Sequence, residues 1–528
     1  MKFFGFLVFT ILFQPTFCLS QSNIDIIHYK FEINLSDAND SVYGKAWVTV
    51  RFLEQSNRFW LSLASAINGK GMIAHLVKQN GETTTSMHYN DTLLVALPTP
   101  AKANDTRTFE ILYSGIPTDG LIISKNKYGD RTFFADNWPN RAHYWIPCKD
   151  VPDDKATFEF IVNAPAQYQV ISNGELVEET PLPAKKKLTH WRENLPLPTK
   201  VMVIGVAKFA IKQFADSPAN IPVTAWVYPQ DSTKGFRNYA PAPAIVKFFS
   251  GYIGTYPYKK LANVQSKTKF GGMENASAIF YNEESAEQNK TVEDLLAHEI
   301  VHQWFGDMAT EKNFQHLWLS EGLATYLTDI YLEAKYGSDV MTSRLREERH
   351  TVIDFNHRSS KPVVDSASPL MMLLSPNSYQ RPAWVLHMLR RQVGDSMFQA
   401  VISKFYERYK GKNADTDDFR KIVEELTGES FEMFFKEWLF NSEIPRLATH
   451  WKYNKETGEL SVSVTQLQKN LFSFPLDLEI ELEDKKAKTQ KVEVSKQTET
   501  FVFSIPMKVV RLTVDPSVSL LYEEVTSR

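Results

Sequence analysis

From residue 29 to about 209, apolar and polar positions alternate. Tyr29, Phe31, Ile33 and Leu35 fall on one face, as do Ala46, Val48, Val50 and Phe52. Side chains of a strand point to opposite faces in turn, so this period of two predicts strands with one buried face. The stretches 109–113 and 158–162 are further short runs rich in aromatic and branched residues. Residues 21–216 are therefore expected to form a β-rich N-terminal domain. The lysines at 185–187 lie near Pro181, Pro183 and Pro196 and predict a solvated loop.

Over 217–445 the apolar positions recur at helical spacing. Thr291 followed by Asp294 resembles a capping box, and Gly306 suits the stop of the helix that it opens. A second helix is predicted over 317–336, ending at Gly337, with others over 384–392, 397–409, 416–426 and 431–440. From 446 to 528 alternation returns. Leu460, Val462 and Val464 share one face, as do Leu476, Leu478, Ile480 and Leu482. This predicts a small C-terminal β-sandwich, and so a multidomain α+β chain.

Composition narrows the class. With 43% hydrophobic and 13% aromatic residues, the chain can build several cores and is not disordered. Lys+Arg 59 against Asp+Glu 62 leaves no basic field to attract nucleic acid. Cys18 and Cys148 are the two cysteines, too few for a disulfide framework or a cysteine-ligated metal. Lys2, an apolar run over 3–13 and the small Ser20 before a polar stretch read as an export signal over 1–20. Cleavage near Ser20 would leave Cys148 as the remaining thiol and send the protein to the periplasm or outside. No later stretch has the roughly 18–20 apolar residues of a membrane span.

The chemistry is concentrated at residues 298–302, which read His298-Glu299-Ile300-Val301-His302. Two histidines four apart share one helical face and can reach a single ion, with Glu299 beside them as a base rather than a ligand. A catalytic zinc keeps three protein ligands and one open position. Glu321, nineteen positions after His302 (321 − 302), is the candidate third ligand.

Together with Gly271-Gly272-Met273-Glu274-Asn275, these residues closely resemble the aminopeptidase N family of zinc peptidases, which includes leukotriene hydrolase. Residues 318–322, 146–150 and 155–158 carry supporting matches. The resemblance implies an N-terminal β-domain, a thermolysin-like catalytic domain over 217–445 and a β-sandwich over 446–528. Because the last stretch alternates like strands, no helical C-terminal domain is expected.

The resemblance also implies roles. One Zn²⁺ per chain, held by His298, His302 and Glu321, would activate water, with Glu299 as general base. Tyr379 would donate to the oxyanion, although Arg381-Pro382 stands where the family usually has Lys-Gly. Glu274 would pair with the α-ammonium of a peptide that has a free N-terminus. Gly271 and Gly272, with Met273 and Asn275 in the same segment, would let the substrate backbone lie close. A second amine contact from the N-terminal domain falls on Asp136 or Asn137. Asp307 and Glu293 are candidates to orient the histidines.

The reading is thus a metalloaminopeptidase. Its rivals are leukotriene hydrolase-like epoxide opening, which the absence of a helical C-terminal domain weakens, and a catalytically silent scaffold. The second rival is expected to lose a ligand or the base, and this chain has all of them.

Overall fold

The computed structural model describes residues 23–287, 289 and 291–525. The expected export signal over 1–20, with Cys18, lies outside the described residues. No described helix is long and apolar enough to cross a membrane.

The N-terminal region is built on an eight-stranded sheet. Its strand Ile24–Asn34 pairs antiparallel with Val42–Phe52 and parallel with Ala156–Pro165. The alternating apolar residues turn inward, and Tyr29, Phe31, Ile33, Val48 and Val50 are all buried. Phe31, Phe160 and Trp145 stack in series, at 5.3 and 5.7 Å between ring centres. Trp145 thereby fastens the loop that follows the strand Arg131–Ala135 to this core. The lysine run differs from expectation. Ala184 and Lys185 make a turn with positive φ, and Lys186 and Lys187 already begin the strand Lys186–Leu197.

The second region opens on a five-stranded sheet. Val223–Val227, Leu261–Ser266 and Ala278–Asn282 run parallel, with Ala210–Gln213 and Gly272–Met273 as antiparallel edges. Residues 210–213 thus join this sheet before the change of pattern at 217. Helices pack after it, notably Glu293–Val301, Trp318–Tyr336, Ser338–Arg358 and Gln380–Val393.

From 446 to 525 the described residues hold strands and no α-helix. They form a four-stranded and a three-stranded sheet. Leu460, Val462, Val464, Leu476, Leu478 and Ile480 are buried. The fold is therefore multidomain, with a β-rich N-terminal part, an α+β middle and a β-rich C-terminal part.

Candidate metal centre and active-site cavity

The helix Glu293–Val301 carries His298 and Glu299. Its start is not the expected capping box. The Thr291 hydroxyl accepts from the Glu293 N–H at 3.1 Å, but the Asp294 carboxylate binds the Leu295 N–H instead of reaching back. The helix ends at Val301, so His302 sits in the C-cap position, still helical in backbone. The chain then turns through Gly306 at φ +115°, where a Cβ would stand 2.4 Å from the Ser320 hydroxyl. That close approach brings Glu321, in the first turn of Trp318–Tyr336, back against the histidines.

Among the described residues, His298, His302 and Glu321 form the group able to hold a metal ion. His302 Nε2 lies 3.2 Å from His298 Nε2 and 3.2 Å from Glu321 Oε2, and His298 Nε2 lies 3.4 Å from the same oxygen. Three lone-pair atoms thus face one point. The other nitrogen of His302, Nδ1, lies 3.0 Å from the Phe305 carbonyl and 3.1 Å from the Ser320 hydroxyl. A carbonyl only accepts, so Nδ1 carries a proton and Nε2 is the nitrogen turned toward the candidate metal point, from which a metal would displace any proton on binding.

The candidate centre opens into a cavity lined by Trp138, Phe270, Gly272, Met273, Leu374 and Tyr379, together with Glu274, Glu299 and the three candidate ligand residues. Burial raises the Glu299 carboxyl well above its ordinary range, which His302 offsets in part and Glu274 and Glu321 reinforce. Burial also raises Tyr379 well above an ordinary phenol, and the Glu321, Glu274 and Glu299 carboxylates add to the effect. That hydroxyl stays protonated at any working pH. Burial alone would lower His302, but Glu321 beside it raises the imidazole to about 10. Glu321 itself is held below the carboxylate range by His302 and His298, against the opposing effect of burial.

Glu274 is buried, yet its Oε1 has no hydrogen-bond partner within the protein. Its backbone carbonyl accepts from Gln303 Nε2 at 2.6 Å, and Gln303 Oε1 accepts from the Ser277 N–H at 2.6 Å. Gln303 therefore locks the 271–277 segment to the end of the histidine helix. Gly271 is exposed and is not among the cavity residues, and a Cβ there would meet only Leu295 at 3.9 Å, whereas a Cβ on Gly272 would stand 2.3 Å from Glu299 Oε1. Asn275 is buried and is not among the cavity residues.

Other expected residues are placed elsewhere. Asn137 gives its amide to the Thr199 and Met202 carbonyls and accepts from Trp145 Nε1. Asp136 is ion-paired with Arg141 at 2.6 Å and accepts from the Lys269 N–H. Both are satisfied within the protein and neither lines the cavity. Glu293 is held by Tyr331, Lys335 and Tyr336, and Asp307 accepts from Gln303. The partners of His302 are instead Phe305 and Ser320.

Trp138, Phe270, Leu374 and Gln303 escaped the sequence reading. Three are apolar residues on loops, where neither periodicity nor a chemical motif marks them. Gln303 was legible only as the residue after the second histidine.

Residues 26–201 match the Peptidase M1 N-terminal domain, and residues 240–438 match the Peptidase family M1 domain. The chain belongs to peptidase family M1. It is 27% identical to the probable aminopeptidase 2 of Sulfurisphaera tokodaii, over 66% of this chain and 48% of that one. It is 28% identical to the glutamyl aminopeptidase of Rattus norvegicus, over 82% of this chain and 48% of that one. The chain spans about half or less of the length of the curated relatives it matches. Its fold resembles that of Legionella pneumophila aminopeptidase A, solved in complex with aspartic acid. The TM-score is 0.83 at 18% identity, covering 96% of this chain and 60% of that one.

Proposed function

We propose that this M1 family member is a zinc aminopeptidase that removes the first residue of peptides with a free α-amine. The observation that carries the reading is the spacing of the ligand atoms beside the unpartnered Glu274 oxygen. Three corners of a tetrahedron with zinc bonds of about 2.0–2.1 Å lie about 3.3–3.4 Å apart. The atoms of His298, His302 and Glu321 are separated by 3.2, 3.2 and 3.4 Å. Two imidazoles and a carboxylate suit zinc in a thermolysin-like catalytic domain.

Zinc, when bound, supplies Lewis acidity that polarises the scissile carbonyl and makes water a stronger acid. Glu299, with its raised proton affinity, takes the proton of the attacking water and delivers it to the departing amine. Tyr379 keeps its own proton and donates to the oxygen on which negative charge develops. Glu274 Oε1 accepts from the substrate α-ammonium, which registers the first peptide bond at the metal and makes the enzyme an exopeptidase.

Release of the fluorophore from amino-acid amides by purified protein, stopped by a chelator and restored by Zn²⁺, tests the reading. Inert protein with one zinc per chain would refute it. The same reading takes residues 1–20 as an export signal, so the secreted protein should begin near Gln21.

A further inference from the structure

We infer that the cavity accepts a neutral, apolar first residue and rejects an acidic one. The inference rests on the aminopeptidase reading and adds the substrate class. Trp138, Phe270, Met273 and Leu374 supply its non-polar walls. Trp138 stands edge-on to Phe270 at 6.1 Å between ring centres and to Phe314 at 6.0 Å. The loop that presents Trp138 is fixed from behind by Asn137 and Trp145.

Among the described residues, no lysine or arginine lines the cavity; its acidic members are Glu274, Glu299 and Glu321. Cations do lie just behind the walls, but each is engaged. The Arg141 guanidinium is 5.8 Å from the Phe270 ring centre. It donates to Asp119 at 2.9 Å, to Asp136 at 2.6 Å and to the Trp138 carbonyl at 2.6 Å. Lys269 donates to Asp119 at 2.8 Å. Lys200, 5.9 Å from the Phe314 ring centre, is paired with the buried Glu311.

A carboxylate side chain on the first residue would therefore give up its hydration for carbon walls that offer it no free cation. Burying a charge without a partner is strongly unfavourable. An aliphatic, thioether or aromatic side chain gains contact with the same rings without that loss. A lysyl or arginyl side chain also meets carbon, because Glu274 is engaged by the α-ammonium. Asp136 thus contributes by keeping Arg141 out of reach of the substrate, not by binding the amine.

The test is kcat/KM for leucyl, methionyl, phenylalanyl, glutamyl, aspartyl and lysyl amides on the zinc-loaded full chain. The best apolar amide should exceed both acidic amides by more than ten-fold and should also exceed the lysyl amide. An acidic amide within ten-fold of the best apolar one, or the lysyl amide fastest, would overturn the inference while leaving the aminopeptidase standing. No hydrolysis of any amide would overturn both. Phe270 is half-buried, so Phe270→Lys should fold and should raise the glutamyl-to-leucyl ratio at least ten-fold. An unchanged ratio would remove Phe270 from the wall that reads the first side chain.

Discussion

A side-chain carbon on Gly272 would stand 2.3 Å from Oε1 of Glu299. The glycine of the edge strand and the proposed base on the helix are thus fitted to each other. The absence of a side chain at 272 serves Glu299 as well as any substrate. Gly272→Ala should push the carboxylate aside and lower kcat by about 100-fold, since small misplacement of a reacting group has effects of this order. Gly271→Ala, whose new carbon would meet nothing nearer than Leu295 at 3.9 Å, should stay within about three-fold of the parent. Steady-state kinetics on both variants checks the contrast, and equal losses would refute it.

Glu299 is not among the atoms grouped at the candidate metal point, so the proposed base and ligand roles can be separated by experiment. Glu299→Gln should keep one zinc per chain by metal analysis while kcat falls about 10³-fold or more. Tyr379→Phe should likewise keep the metal and lose about 10²–10³-fold in kcat with little change in KM. Loss of zinc from either variant would mean that the site has been assigned wrongly.

The anchoring role of Glu274 is separable from the chemistry. Glu274→Ala should depress kcat/KM for free-amine amides by at least about ten-fold, the loss of a charge-assisted contact. It should leave slow hydrolysis of acetylated peptides unchanged. Equal losses on both substrates would count against the ammonium contact.

Legibility in the sequence followed exposure. The strand Ile24–Asn34 alternates because one of its faces is buried, and it was readable. Leu261–Ser266 is buried at all of its positions, as parallel strands covered on both faces are, so no alternation marks it inside a region that reads as helical. The helix Ser338–Arg358 was missed because it is polar on most of its surface and buries few residues, Met341, Leu345, Glu348 and Val352. At the site, His298, His302, Glu321 and Glu299 declare themselves by chemistry and spacing, whereas Glu274 is marked only by the family resemblance of residues 271–275. Asp136 and Asn137 look like binding groups in the sequence. Only the fold reveals that their hydrogen bonds are used by Arg141, Trp145 and the backbone.

The Arg381-Pro382 pair departs from the family pattern and has a structural reason. Arg381 is fully buried and donates to the carbonyls of Asn441 at 2.6 Å and Glu443 at 2.8 Å, just past the helix Glu432–Leu439. Pro382 packs over Gly322, one residue from the proposed ligand Glu321. The start of the Tyr379 helix is thus tied both to the junction with the C-terminal sheets and to the metal helix. Arg381→Met should cost about 2–5 kcal/mol, because several buried carbonyls lose their donor. Chemical denaturation checks the value; a loss below about 1 kcal/mol would show that the carbonyls find other partners.

Stability should also carry the mark of His387, which lies on the same helix. Its Nε2 donates to the Val518 carbonyl at 3.1 Å and its Nδ1 accepts from the Tyr326 hydroxyl at 2.9 Å. This arrangement requires the neutral imidazole. Burial is the main cause that holds its pKa down to about 3, from an ordinary 6.5. Between those values the unfolded chain binds the proton and the native state does not, so stability rises with pH. The contribution is complete above about pH 6.5 and is lost progressively as the pH falls toward 3, reaching on the order of 3 kcal/mol at pH 4. His387→Gln retains a donor and an acceptor without the titration, so its unfolding free energy should fall less steeply between pH 7 and 4. Denaturant titrations of both proteins in chelator keep metal loss out of the comparison. Parallel pH profiles would show that His387 is not the group that couples the Tyr379 helix to acid.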